Sequence, residues 1–427
     1  MDNLLSEEKF KETRRNFTWD NDEYDYHRPF IKGYNSFKTY KKFFKYRVIE
    51  FHSLFNEPLT KRIKKQLRNI NAIYFWQKFN QPIKKLPNHI KVISIFGDFN
   101  QPLDNLPKGL IHLEIGDENT FTNNFDNLPN GLKYLIMATS HYDGSLDNLP
   151  NSLVYLCLGV NFNNSLDNLP KNLKVLKFND ASDFDQNVDH LPESLEKLTF
   201  GEKFDKPIDF VPKNLKVLKL GDYFNQPVNH LPESLEKIRV GANFNQSLIN
   251  LPKNCKKVIF SYEFDNELKG ISPYVEEIHF YSGFNKSLDN LNNGLKRLFL
   301  DSDFNQSVDN LPISLELLAF GYDFNKSVDL LPIGLKVVSF GENFNNSIDN
   351  LPDSVEVIMF GFRNNSMKKI FENYGNVCKF DKKISKLPFN LKYLLICRKY
   401  KYIDELREKY KEINIITNKK YFIYYNE

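Results

Sequence analysis

Eight histidines, four cysteines and a long series of Asp-Asn pairs are the side chains of this 427-residue chain best suited to chemistry. His190 and His230 occupy the same place in two related segments and have the type needed for metal ligation or proton transfer. With two strand spacings between those segments, the rings lie about 9.6 Å apart, too far to share one metal ion bound at about 2.0 to 2.1 Å. Cys157, Cys255, Cys378 and Cys397 are scattered without the paired spacing of a zinc site. Cys255 stands where an apolar residue recurs, which predicts a buried, reduced thiol and a reducing compartment. Asn-x-Ser sequons recur at Asn163, Asn245, Asn285, Asn305, Asn325 and Asn345. The Asn appears there whether or not Ser follows, so it is read as a side chain bonding backbone between segments and not as a glycan acceptor. No P-loop, dinucleotide fingerprint or G-x-S-x-G elbow is present, and the carboxylates of LDNLP recur too evenly to form a catalytic pair. The expectation is a non-enzyme without cofactor, metal or small-molecule substrate.

The elements that position these residues are repeats. Phe184, Phe204, Phe224, Phe244, Phe264, Phe284, Phe304, Phe324 and Phe344 lie at strict intervals of twenty residues, and each opens a near-copy of FNQSVDNLPISLELLAFGYD. Looser copies open at Phe79, Phe99, Phe121, Tyr142 and Phe162, and degenerate ones at Phe55 and Phe380. With the aromatic as position zero, Leu and Pro recur at plus seven and plus eight, and apolar residues at plus eleven, fourteen and sixteen. Positions fourteen and sixteen share one face of a short strand, and the Pro shapes the turn that feeds it. A twenty-residue coil has room for one strand and an irregular return, so successive strands must pair in parallel and in register. Position twelve tests this register: Lys174, Glu196, Lys216, Glu236, Lys256, Glu276, Lys296, Glu316, Lys336 and Glu356 alternate in sign. Equivalent residues in adjacent coils sit about 4.8 Å apart, where alternating charges attract. A duplicated forty-residue unit would also generate the alternation, and it requires the same register.

The run FNQPLDNLPKGLIHLEIG from Phe99 to Gly116 resembles the FNIP repeat, a relative of the leucine-rich repeat abundant in social amoebae and in giant viruses of amoebae. The resemblance covers about residues 55 to 396, and its core, as in LPESLEKLTF, is also similar to short bacterial leucine-rich repeats. It departs from the pattern at Tyr142, at Asn292 where Pro is expected, at the displaced Pro273, and across an insertion from Arg363 to Val377. The resemblance implies a β-rich solenoid, coiled right-handedly, with one parallel strand per repeat. Many such proteins resemble F-box proteins at their N-terminus, which would recruit a ubiquitin-ligase adaptor; residues 1 to 54 lack the usual Leu-Pro, acidic residue and apolar helix.

Three regions follow: an N-terminal cap over 1–54, repeats over 55–396 and a C-terminal cap over 397–427. Phe37, Tyr40, Phe44, Val48, Phe51 and Leu54 recur at three or four and predict an amphipathic helix covering the first coil. Ile403 to Lys411 reads as a short helix, and the runs from Ile413 and Tyr421 as strands closing the sheet edge. A net charge of +4 neither requires nor excludes nucleic acid. The N-terminal stretch contains acids where a secretory signal needs a basic start, and no apolar run reaches membrane length. The expected location is the cytoplasm, that of a host cell if the viral resemblance holds.

Variation between repeats falls on the strand positions that alternate with the core, thirteen and fifteen, expected on the exposed concave face. Lys177, Lys197, Lys219, Lys237, Arg239, Lys257 and Arg297 form a basic centre there. Phe299, Leu317, Val337, Val357 and Met359 form an apolar end. A contiguous exposed apolar patch is unusual on a soluble monomer, so this face is expected to bind another protein. The alternatives are a substrate receptor of a ubiquitin ligase, acting through a diverged F-box, and nucleic-acid binding by the basic centre.

Overall fold

The computed structural model describes residues 47–116, 121–137, 142–362 and 378–417. The F-box question at residues 1–46, the insertion at 363–377 and the strand expected from Tyr421 fall outside those residues. Two compact units divide the chain, one reaching Phe162 and one starting at Asn163.

In the first unit, β1 (Val48–Glu50), β2 (Ala72–Phe75), β3 (Val92–Ile95), β4 (His112–Ile115), β5 (Tyr134–Met137) and β6 (Tyr155–Leu158) each pair in parallel with the next. Registers join equivalent repeat positions, for example Val92 with His112. The coil opened by Phe55 is longer than the others and uses the extra residues for a helical turn, α1 (Lys61–Gln66), where Thr60 Oγ1 accepts from the Ile63 amide at 3.4 Å.

β1 corrects the expected N-terminal helix where it is described. Val48–Glu50 is a strand that pairs with β2, and the Phe51 amide donates to the Tyr74 carbonyl at 2.9 Å. Val48, Phe51 and Leu54 have helical spacing, but the unpaired edge of β2 supplies a ladder that a helix could not use. Phe51 then stacks on Phe75 at 5.0 Å, repeating the contact that position sixteen makes between later coils.

In the second unit, the parallel ladder runs through β7 (Val175–Phe178), β8 (Lys197–Thr199), β9 (Val217–Lys219), β10 (Lys237–Val240), β11 (Lys257–Phe260) and β12 (Glu277–Phe280). It continues through β13 (Arg297–Phe299), β14 (Leu317–Ala319), β15 (Val337–Gly341), β16 (Val357–Phe362), β17 (Tyr393–Leu395) and β18 (Asn414–Ile416). A short helix, α2 (Ile403–Lys409), precedes β18 much as expected. β18 pairs in parallel with β17, so it adds a rung to the ladder instead of closing it.

Each unit is therefore a parallel β-solenoid, and the repeat residues explain its cohesion. Positions fourteen and sixteen are buried throughout, as at Leu218 and Leu220. The leading aromatics form a column: Phe204, Phe224 and Phe244 stack at 6.0 and 6.4 Å with nearly parallel planes. Beside it runs an amide ladder, in which the Asn305 backbone N–H donates to Asn285 Oδ1, Asn325 to Asn305 and Asn345 to Asn325, at 2.8 to 2.9 Å. The recurring Asn bonds the backbone of the next coil, as the sequence implied, and Gln306 Nε2 adds a second bond to Asn285 Oδ1 at 3.1 Å.

Candidate interaction surfaces

The alternating column at position twelve lies on the surface and forms ion pairs between coils. Glu196 meets Lys174 at 3.0 Å and Lys216 at 3.5 Å, and Glu276 meets Lys296 at 2.9 Å and Lys256 at 3.4 Å. Glu236 takes part in the sequence alternation, yet no ion pair of its own is found among the described residues. His190 Nδ1 lies 3.1 Å from Asp167 and His230 Nδ1 2.8 Å from Asp209, each one coil back. Asn310 and Asn350 make the same bond to Asp289 and Asp329, both at 3.1 Å, so the two histidines stand in for a structural asparagine.

The strand face differs from its expected exposure. Arg239, Phe299, Leu317 and Met359 are buried, and Val337 and Val357 are half-buried. In an in-register sheet, large side chains one strand spacing apart wall each other in. Phe299, Leu317, Ala319, Met359 and Leu395 accordingly form a second hydrophobic cluster, against which Val337, Val357, Tyr393 and Ile416 pack. The expected apolar end is thus packed as core on the face of the sheet opposite the aromatic column.

The basic centre is largely compensated within the ladder. Lys219 Nζ lies 2.8 Å from Asp180. Burial alone would raise the Asp180 pKa, but Lys219 with Lys177 and Arg239 outweighs it and holds the carboxyl down at about 2. Glu277 accepts from Lys257 at 2.7 Å and from Arg297 Nε at 2.6 Å. It also meets His279 Nε2 at 2.7 Å, whose ring stacks on Phe299 at 4.2 Å. Burial pushes the His279 pKa down to about 4 despite the Glu277 carboxylate, and Glu277 is itself held well below the usual carboxylate range against its own burial. Arg239 lies over the Tyr281 ring at 5.2 Å and reaches Ser261 Oγ at 3.4 Å. Lys177, Lys197 and Lys237 are half-buried beside this network.

Cys255 is buried and its thiol is pushed up to about 12 by that burial, in line with an inert core position. Cys378 and Cys397 depart from the expected reduced state: they form a disulfide with Cα atoms 5.9 Å apart. The two lie 19 residues apart, about one coil, so the stacking of successive coils brings them to adjoining corners.

Large apolar side chains do reach solvent on the turns. Ile313 is 67% exposed, Leu330 65% and Ile333 74%. They occupy positions six and nine, which the sequence reading passed over because most copies carry polar residues there. The signal was available as a departure from the repeat.

The FNIP Repeat family model matches residues 79–118, 99–140, 143–181, 204–243, 224–263, 304–341 and 324–363, together more than half of the chain. The chain belongs to the FNIP repeat family. Among solved structures, this FNIP-repeat chain is similar to CroV588 of the giant virus CroV, a circular leucine-rich-repeat protein, at 27% identity over 83% of this chain and 73% of that one, with a TM-score of 0.39. It is also similar to YopM from Yersinia enterocolitica, at 17% identity over 92% and 91% of the two chains and a TM-score of 0.37. The FNIP chain's own strand ladder, not these likenesses, establishes its fold. No curated protein matches it.

Proposed function

We propose that this FNIP-repeat chain is a non-enzymatic scaffold that binds another protein. The observation supporting this is a division of labour within each coil. Side chains at positions zero, one, six and twelve are engaged by an adjoining coil through rings, amides and ion pairs, as at Phe324, Asn325, Asn310 and Lys336. Residues spent in this way hold the ladder together and are poorly placed to act on a substrate. Individual character remains at the strand face and at the turns, and the compensated charges and packed apolar side chains of the strand face favour the turns as the contact surface. Repeats of this kind display variable side chains on a fixed frame, an arrangement suited to reading a protein surface.

The test is saturable capture. The immobilised full chain, incubated with an amoebal extract, should retain a discrete protein at fixed stoichiometry, and nuclease treatment should leave that retention unchanged. Recovery of nucleic acid alone, with affinity falling steeply as salt rises, would replace this reading with nucleic-acid binding. Absence of any saturable protein would end it.

A further inference from the structure

We infer that the turn ridge of the coils opened by Phe304 and Phe324 docks a partner segment that carries lysine or arginine beside apolar anchors. At position six an amide or imidazole donates to the position-five carboxylate of the preceding coil, as Asn310 does to Asp289 and Asn350 to Asp329 at 3.1 Å. At position nine, a side chain able to accept takes the backbone N–H of the next coil, as Asn88 does from Lys108, Glu193 from Lys213 and Asp353 from Phe389, at 3.1 to 3.2 Å, while Lys108, Lys171, Lys213 and Lys253 hold that position in other coils.

Leu330, Ile313 and Ile333 break both rules in two adjacent coils. Leu330 has no donor for Asp309, and neither isoleucine can accept from the coil that follows. One recurring bond and two polar positions are thus given over at one place to three aliphatic side chains that are 65% to 74% exposed. A scaffold requirement would favour the polar residues, so the frame does not account for the substitutions. They are explained if a ligand covers them, because exposed aliphatic surface gains only when removed from water.

The charge around them specifies the ligand. Position five carries Asp289, Asp309, Asp329 and Asp349 in four successive coils, about 4.8 Å apart along the ladder, and no lysine or arginine occurs between positions three and nine of those coils. The Asp309 carboxylate has Ser307 Oγ at 2.8 Å, while Leu330 stands where its amide partner would be. At the far end Lys386 lies 3.8 Å from Asp353 and closes the acidic stretch. Cationic groups placed against Asp309 and Asp329, with apolar side chains over Ile313, Leu330 and Ile333, would match this surface in both charge and polarity.

This inference rests on the scaffold reading but is separately testable. The probe is a synthetic eighteen-residue peptide of leucine and lysine carrying a photocrosslinker, titrated against the full chain; the same peptide with glutamate for lysine, and a leucine-free lysine peptide, are controls. The leucine-lysine peptide should bind saturably at one copy per chain and crosslink within 307–333. Ile313→Asn, Leu330→Asn and Ile333→Asn together restore the repeat's polar residues, so folding is kept while affinity should fall at least tenfold. Equal binding by this variant, equal binding of the leucine-free peptide, or crosslinks elsewhere would overturn the inference. So would a chain that sediments as a dimer dissociated by the triple change, since a second copy would then be the occupant. Failure of the unaltered chain to bind the peptide, with protein capture intact, would sink the ridge and leave the scaffold standing.

Discussion

Replacing Phe224 by Ala should remove one ring from a column without disturbing the rest of the chain. Phe224 is fully buried, with Phe204 at 6.0 Å on one side and Phe244 at 6.4 Å on the other, interplanar angles being 7° and 8°. Truncating a buried Phe leaves a cavity and should cost about 3 to 5 kcal/mol, the upper part applying here because neighbouring coils are held apart by their hydrogen-bond ladders and collapse poorly. Phe224→Leu keeps most of the apolar burial but loses two ring contacts worth about 0.5 to 1.5 kcal/mol each, so about 1 to 3 kcal/mol is expected. Each coil touches mainly its neighbours, which makes the loss local. Native-state hydrogen exchange should show reduced protection at Val217–Lys219 and Lys237–Val240, with Val337–Gly341 unchanged. A loss below about 1 kcal/mol for the Ala variant, or an even loss over the whole ladder, would refute the stacked-column reasoning.

Three further outcomes follow from the same frame. Glu276→Lys puts a third positive charge between Lys256 and Lys296, now 3.4 and 2.9 Å from the carboxylate; on this screened surface it should destabilise by about 1 kcal/mol, with Lys296→Glu restoring part, as urea unfolding of the double-mutant cycle would reveal. His279 has a folded pKa lowered to about 4, so the unfolded state binds the extra proton between about 6.5 and 4; stability should be full above that window and decline as pH falls through it, and His279→Phe should flatten the dependence of the unfolding midpoint. Gly341→Ala would drive a methyl into the carbonyl of Gly321 in the preceding coil, an overlap of backbone on side chain that should destabilise by about 1 to 3 kcal/mol in thermal unfolding.

The period, the strand and the register were legible because each rests on residues that recur at fixed offsets, such as Phe304, Leu311 and Pro312. The amide ladder was legible for the same reason, since Asn at position one persists when its neighbours change. The burial of the strand face was not. Lys257 and Arg297 read as solvated charges although Glu277 holds the same position in the coil between them, because register alone does not show the side chains closing into ion pairs. Phe299 and Met359 read as an exposed patch because alternation separates two faces without saying which of them packs. β1 was hidden because counting back from Val48 as position thirteen puts Asn35, not an aromatic, at position zero of the sequence pattern. The exposed ridge was visible as Ile313, Leu330 and Ile333, but their meaning required the bonds made by Asn310, Asn350 and Asp353 in neighbouring coils.

The central claim, that the frame is internally satisfied and the turns carry the recognition, is tested most directly by zero-length crosslinking. A carbodiimide joins a carboxylate to an amine in contact with it, so the chain with its captured protein partner reports which acids face partner lysines. The account predicts amide links at Asp309 and Asp329, lost with Ile313→Asn, Leu330→Asn and Ile333→Asn while the unfolding midpoint stays unchanged or rises. Links confined to Glu277 on the strand face, insensitive to the ridge substitutions, would contradict it.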